Sequence, residues 1–161
     1  MVLALTLSAE LNGVTNLRPL DTAEDPYNYT FKVQCTSCRE THPNWISFNR
    51  FEQHEQQGSR GDANFVWRCQ NCKRQHSANI VEAPSAYEAE SAPKEMNILQ
   101  LDCRGLEFVE FKADGEWLCE GVESGTKFTA VDLSESEWFE YDEKAGEEVS
   151  ITGVKWDIQR A

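Results

Sequence analysis

The sequence predicts a mostly β protein made of two similar β-rich halves, an internal duplication in which only the first half carries paired cysteines. Three observations lead there. Apolar and polar residues alternate at period two in short runs along most of the chain. Strand-like stretches recur in the same order on either side of residues 83–95. Two C-x-x-C pairs, Cys35/Cys38 and Cys69/Cys72, fall before that segment and none after it.

The elements follow in order. Leu3, Leu5, Leu7, Ala9 and Leu11 alternate up to Asn12-Gly13, a strand running into a turn. Tyr27, Tyr29, Phe31, Val33 and Cys35 alternate again after Pro26, and Phe65-Val-Trp67 is a short β-rich run. Phe108 to Phe111, Phe128 to Val131 and Val149 to Ile158 read the same way. The one helical expectation is two turns over Asn49 to Gln57, starting at Ser47 or Asn49 and ending at Gly58. Residues 83–95, small and polar between Pro84 and Pro93, read as a linker between a first half at 1–82 and a second at 96–161 packed on it. Across that linker Ala9–Val14 aligns with Leu101–Leu106, Asn44–Phe48 with Glu137–Tyr141, and Phe65–Trp67 with Val154–Trp156. Under that alignment Cys69 corresponds to Ile158, and the second half has no metal-binding equipment.

A chain of 161 residues with 40% hydrophobic content and five Trp can bury a real core, so wholesale disorder is excluded. The net charge of −13 argues against general binding to phosphate backbones. The charge is uneven. Residues 94–161 hold 17 Asp/Glu against 7 Lys/Arg, whereas 32–74 hold seven basic residues (Lys32, Arg39, Arg50, Arg60, Arg68, Lys73, Arg74) against four acidic ones. A solvated surface is the plain reading of both. The first residues lack a basic leader pattern and read as a strand, and no apolar window approaches the ~18 residues that span a bilayer. Six cysteines without a secretory leader fit a reducing compartment, so a cytosolic or nucleocytoplasmic protein is expected.

In that setting the two C-x-x-C pairs, separated by residues 39–68, read as metal knuckles. A two-residue gap lets a tight turn aim both thiolates at one ion, and two such turns supply a closed tetrahedral sulfur set, the arrangement preferred by structural Zn²⁺. One zinc per chain is expected on Cys35, Cys38, Cys69 and Cys72, in a zinc-ribbon-like site. A dithiol redox pair and an iron–sulfur cluster stand as rivals, though the strand–helix setting of the first is missing and nothing else points to the second. Each knuckle continues to a histidine, His42 or His76, with a basic residue, Arg39 or Lys73, directly after its second cysteine. Six donors are two too many for one ion, so hydrogen bonding and charge compensation suit these four residues better, with exchange of a His for a Cys as the rarer option. His54 sits among Glu52, Gln53 and Glu55 and reads as solvent-exposed; Cys103 and Cys119 read as buried free thiols. Asp142 and Glu143, within the acidic run Glu135 to Glu148, read as a solvated face rather than an acid/base pair. Phosphate loops, nucleophile elbows and H-E-x-x-H are absent from the sequence.

The combination of both knuckles with Thr15-Asn-Leu-Arg-Pro19, Gly58-Ser-Arg-Gly61, Cys103-Arg-Gly-Leu-Glu107, Gly121-Val-Glu-Ser-Gly-Thr126, Trp138 and Tyr141-Asp-Glu-Lys144 resembles the eukaryotic CXXC motif-containing zinc-binding protein family over nearly the whole length. That resemblance implies a mostly β fold of two similar halves and one zinc on the four cysteines. It supplies no activity, and it brings copper-chaperone machinery as a partner hypothesis. His42 and His76 are not part of the family pattern. The expected function is a non-enzymatic, monomeric adaptor that binds another protein. A thiol redox or metal-transfer protein is the alternative, and a nucleic-acid-binding zinc ribbon the third reading.

Overall fold

The computed structural model describes residues 1–58 and 61–161; Ser59 and Arg60, from the Gly58–Gly61 motif and the cationic segment, lie outside the described residues. Among the described residues every regular element is a strand. In chain order the first eight are β1 (Val2–Asn12), β2 (Val14–Pro19), β3 (Tyr29–Cys35), β4 (Ile46–Phe48), β5 (His54–Glu55), β6 (Asp62–Ala63), β7 (Phe65–Arg68) and β8 (Gln75–Ile80). After residues 83–95 come β9 (Met96–Arg104), β10 (Leu106–Lys112), β11 (Trp117–Gly121), β12 (Lys127–Val131), β13 (Trp138–Asp142) and β14 (Glu147–Arg160).

The strands form a six-stranded sheet in the order β13-β14-β1-β9-β8-β7, two three-stranded sheets, β10-β3-β4 and β12-β11-β2, and the small hairpin β5-β6, all antiparallel. Strands from before residue 83 and after residue 95 share each of the three larger sheets. Two corners make this possible. At Gly13 the chain leaves the six-stranded sheet and enters β2, and at Gly105 it does the same on the way to β10. Both glycines have positive φ (74° and 83°), and a Cβ at Gly105 would lie 2.1 Å from the Nδ1 of His76. Only glycine allows the chain to turn there and pass that close.

Alternation sets which side chains enter the core. Along β3 every second residue, Tyr29, Phe31, Val33 and Cys35, is fully buried. Phe31, Phe48, Phe65 and Phe108 stack into one aromatic block, with ring centroids 4.5 Å apart for Phe31–Phe108 and 5.1 Å for Phe48–Phe65. A second block joins Tyr27, Trp117, Trp156 and Phe111. Each large side chain so buried stabilises the fold by about 1.5–3 kcal/mol relative to exposure.

The helix expected over Asn49 to Gln57 is not formed. The Asn49 Oδ1 accepts the N–H groups of Phe51 and Glu52, as a helix cap does, but the chain then continues into β5. What fixes this stretch is tertiary. Arg50 donates from Nε to the buried Asp21 carboxylate at 3.0 Å, and Asn64 Nδ2 donates to the carbonyls of Arg50 and Glu52. The same Asp21 carboxylate accepts from the Tyr29 hydroxyl at 2.7 Å. Residues 83–95 run along the body of the protein: Tyr87 is buried, bridges to Leu17, and donates from its hydroxyl to the Lys94 carbonyl.

Candidate metal centre

The first knuckle begins where β3 ends. Cys35 closes it by donating its N–H to Glu40 O and accepting the Arg39 N–H at 2.9 Å, with Arg39 at φ 65°. The second repeats this between β7 and β8, where Cys69 donates to Arg74 O and accepts the Lys73 N–H at 2.9 Å, with Lys73 also at φ 65°. The basic residues after each pair therefore serve the turns through their backbones. Arg39 additionally lies 3.9 Å from Glu107.

The two turns, built on different sheets, bring all four sulfurs within 4.8 Å of one another. Cys35 Sγ lies 3.6 Å from Cys72 Sγ, and Cys38 Sγ 3.6 Å from Cys69 Sγ. That separation is far beyond a disulfide bond of ~2.05 Å. It is close to the separation of about 3.8 Å expected for a sulfur tetrahedron with Zn–S bonds of ~2.3 Å. Cys35 and Cys69 are buried while Cys38 and Cys72 are half-exposed, so the set sits at the protein surface with its inner two members in the core.

Two of the thiols lie on opposite sides of the ordinary cysteine range. The Asn71 side chain first, and then the backbone of Glu40, hold Cys38 down to about 6. At Cys72 the backbone of Arg74 pulls the same way, but burial and the neighbouring thiols outweigh it and push the group up to about 11. Four sulfurs this close cannot all ionise unless positive charge is placed among them. A dication is the charge this donor set fits.

Of the two histidines, the structure brings one to the site. His76, on β8, places Nε2 3.2 Å from Cys35 Sγ. Burial, aided by the charge of Arg74, holds its imidazole below the ordinary histidine range. His42 instead packs edge-on against Trp67, its ring centroid 5.9 Å away. His54 is exposed beside Glu52 at 3.6 Å. Cys103 and Cys119 are buried free thiols on β9 and β11, each pushed up to about 12 by burial.

A second pair of turns has the same hydrogen bonds and no sulfur. Gly121 donates to Thr126 O and accepts from the Gly125 N–H, and Asp142 O accepts from the Gly146 N–H. Between these turns lies the Asp142 carboxylate. It accepts from Ser124 Oγ, from Thr126 Oγ1 at 2.9 Å, and from the N–H groups of Lys144 and Ala145. A Cβ on Gly121 would lie 2.5 Å from its Oδ2. Asp142 is thus 1% exposed, correcting the expectation of a solvated carboxylate. The Ser124-Gly-Thr126 stretch was its one sequence signal, and it lies 16 or more residues away.

A closed four-sulfur set on two knuckles, in an all-β frame, defines the class: a zinc-binding protein with a four-cysteine site. Residues 4–159 match the family described as CXXC motif containing zinc binding protein, eukaryotic, and the chain belongs to that family. The UPF0587 protein C2D10.03c of Schizosaccharomyces pombe is 47% identical, with 98% of each chain covered. The CXXC motif containing zinc binding protein of Mus musculus is 39% identical over 94% of each. Among solved structures, the crystal structure of C1orf123 superposes with a TM-score of 0.91 at 36% identity over the full length of both chains. A hypothetical protein from Plasmodium falciparum shares the fold, with a TM-score of 0.87 at 23% identity over 99% of each chain.

Proposed function

We propose that the four cysteines hold one structural zinc, and that the protein is a non-enzymatic, monomeric adaptor for another protein in the cytosol or nucleus. The observation that supports this reading most is the closed sulfur set, with all four Sγ atoms within 4.8 Å of one another. Four thiolates leave a tetrahedral ion no open position for water or substrate. The ion would clamp the end of β3 to the β7–β8 turn. That clamp joins two sheets which no backbone ladder connects there. Replacing Cys35 and Cys72 by Ser is expected to abolish the one-to-one zinc content measured by elemental analysis and to lower the melting temperature sharply. Retained zinc and an unchanged melt would overturn the structural role. Affinity purification on wild type and the same variant, with copper-chaperone components scored first, tests the adaptor role.

The half-exposed Cys38 and Cys72 favour a second reading, thiol or metal transfer. Alkylation of the zinc-loaded protein separates the two: protection of all four knuckle cysteines excludes transfer, and rapid modification of Cys38 or Cys72 supports it. The cations of residues 32–74 give less to a nucleic-acid reading, since Arg50 is paired with Asp21 and Arg39 lies against Glu107.

We also infer that the two halves arose by duplication. The order β13-β14-β1-β9-β8-β7 keeps its pattern when each strand is exchanged for its counterpart in the other half. Registers agree as well: Phe65 pairs with Ala78 and Arg68 with Gln75, while Trp138 pairs with Ile151 and Tyr141 with Glu148. By that correspondence Cys69 matches Asp142, which replaces the sequence alignment of Cys69 with Ile158. Val154–Trp156 pairs with β1 deep in β14 rather than at a sheet edge, where Phe65–Trp67 lies.

A further inference from the structure

In the first half the outer face of β7 and β8 is covered. Sixteen residues, 49–64, separate β4 from β7, and the described ones, 49–58 and 61–64, fold back over it as the β5-β6 hairpin and its flanks. Arg68 and Gln75 donate to Gln57, Asn64 donates its N–H to the Asn79 side chain, and Ser77 is left 4% exposed beneath them. Only six residues, 132–137, separate β12 from β13, so the chain has nothing to lay over the matching face of β13 and β14.

That face is aromatic and acidic. Phe139, beside Ser150, is 64% exposed, and Tyr141, beside Glu148, is 51% exposed, with Asn12 across Ser150 on β1. Glu10 follows Asn12 at two-residue spacing on β1 and is also exposed. An open groove of ≈ 670 Å³ runs along it, and β13 is one edge of the six-stranded sheet. No lysine or arginine stands among these residues. Two bare aromatic rings flanked by carboxylates suit the cation and stem of Lys or Arg side chains. A second copy of this face is the wrong partner, because it would set Glu10 and Glu148 against their own kind on a chain of net charge −13.

We propose that the bare face of β13 and β14 docks an extended, Lys- or Arg-bearing segment of another protein, which takes the place the β5-β6 hairpin occupies in the first half. This deepens the adaptor reading and rests on it. Phe139, Tyr141, Glu148 and Glu10 would supply the contacts and the selectivity.

The test uses zinc-loaded, ¹⁵N-labelled protein and two synthetic β-hairpin peptides of equal length, one alternating Arg with Ile and one alternating Glu with Ile. The Arg hairpin is expected to shift amide signals of residues 138–150, to weaken with added salt, and to bind about tenfold less tightly to a Phe139→Ala/Tyr141→Ala variant. Both replaced side chains are exposed, so that variant should melt with wild type. Equal binding of the two hairpins, shifts centred elsewhere, an unchanged affinity in the variant, or a dimer of wild type abolished by the variant would each overturn the proposal. If the Arg hairpin fails while a zinc-dependent partner is still recovered, this face is wrong and the adaptor reading stands. If the Arg hairpin binds as expected and no partner depends on the knuckles, the face stands and the adaptor reading falls.

Discussion

Asp142 lies in a run of acidic residues most of which face water, yet its carboxylate is enclosed by two hydroxyls and two backbone N–H groups. The Ser124 hydroxyl is the main reason its pKa lies below the ordinary carboxylate range. Burial opposes the shift, and Ala145, Thr126 and Lys144 help outweigh it. A carboxylate depressed in the folded state stabilises the protein above its unfolded value, about 3.9, and that contribution is lost as pH falls below it. The melting-temperature gap between wild type and Asp142→Asn should therefore be widest near neutrality and narrow once pH drops through about 4. Acid release of zinc is common to both proteins and cancels in the comparison. A gap that stays constant down to pH 3 would sink the assignment. The contrast with the cysteines is instructive about legibility. A two-residue gap between thiols is itself the geometry of a knuckle, whereas the two hydroxyls that close over Asp142 stand 16 and 18 residues upstream, outside its local sequence.

Strands were the legible elements, because period-two burial, as along β3, is imposed by the pleat and written directly into the residue order. The stretch after β4 was not. Asn49 offers the hydrogen bonds of a helix cap, and the distant Asp21 and Asn64, which hold Arg50 and Glu52, decide that the chain leaves as a loop. The Asp21 side chain is 1% exposed and holds both Arg50 and the Tyr29 hydroxyl. Replacing Asp21 with Ala removes the acceptor of the buried Tyr29 hydroxyl and of the Nε of a partly buried guanidinium, which keeps its bond to the backbone carbonyl of residue 21. The expected cost is about 3 kcal/mol in urea unfolding, with loosening of residues 49–58 in hydrogen exchange. A loss below about 1 kcal/mol would mean that the hairpin is held mainly by Asn64.

For the whole molecule, fold class and metal site were within reach of the sequence, and the exchange of strands between halves was not. Asn12-Gly13 reads as a turn at the end of a strand; in the folded protein it is a corner between sheets. Nothing local distinguishes the two, since the difference lies in which distant strand pairs next. Because both halves contribute to each larger sheet, a chelator that strips zinc should lower stability in one transition, with circular dichroism and Trp fluorescence moving together. Two separated steps would show that the halves unfold independently.

The pairing of Leu3 with Arg160 has a consequence for how the protein is made. On the ribosome β1 emerges more than eighty residues before β9 and more than a hundred before β14, the two strands that flank it, so its Leu5 and Leu7, fully buried in the finished sheet, lack one of their two neighbours until β14 follows. At ≈ 5–20 residues per second that wait is on the order of ten seconds, long enough for the nascent strand to meet other chains or a chaperone. Closing so distant a pair is also entropically slow. The zinc knuckles, complete by Cys72, are available well before that closure, so metal capture can precede assembly of the central sheet.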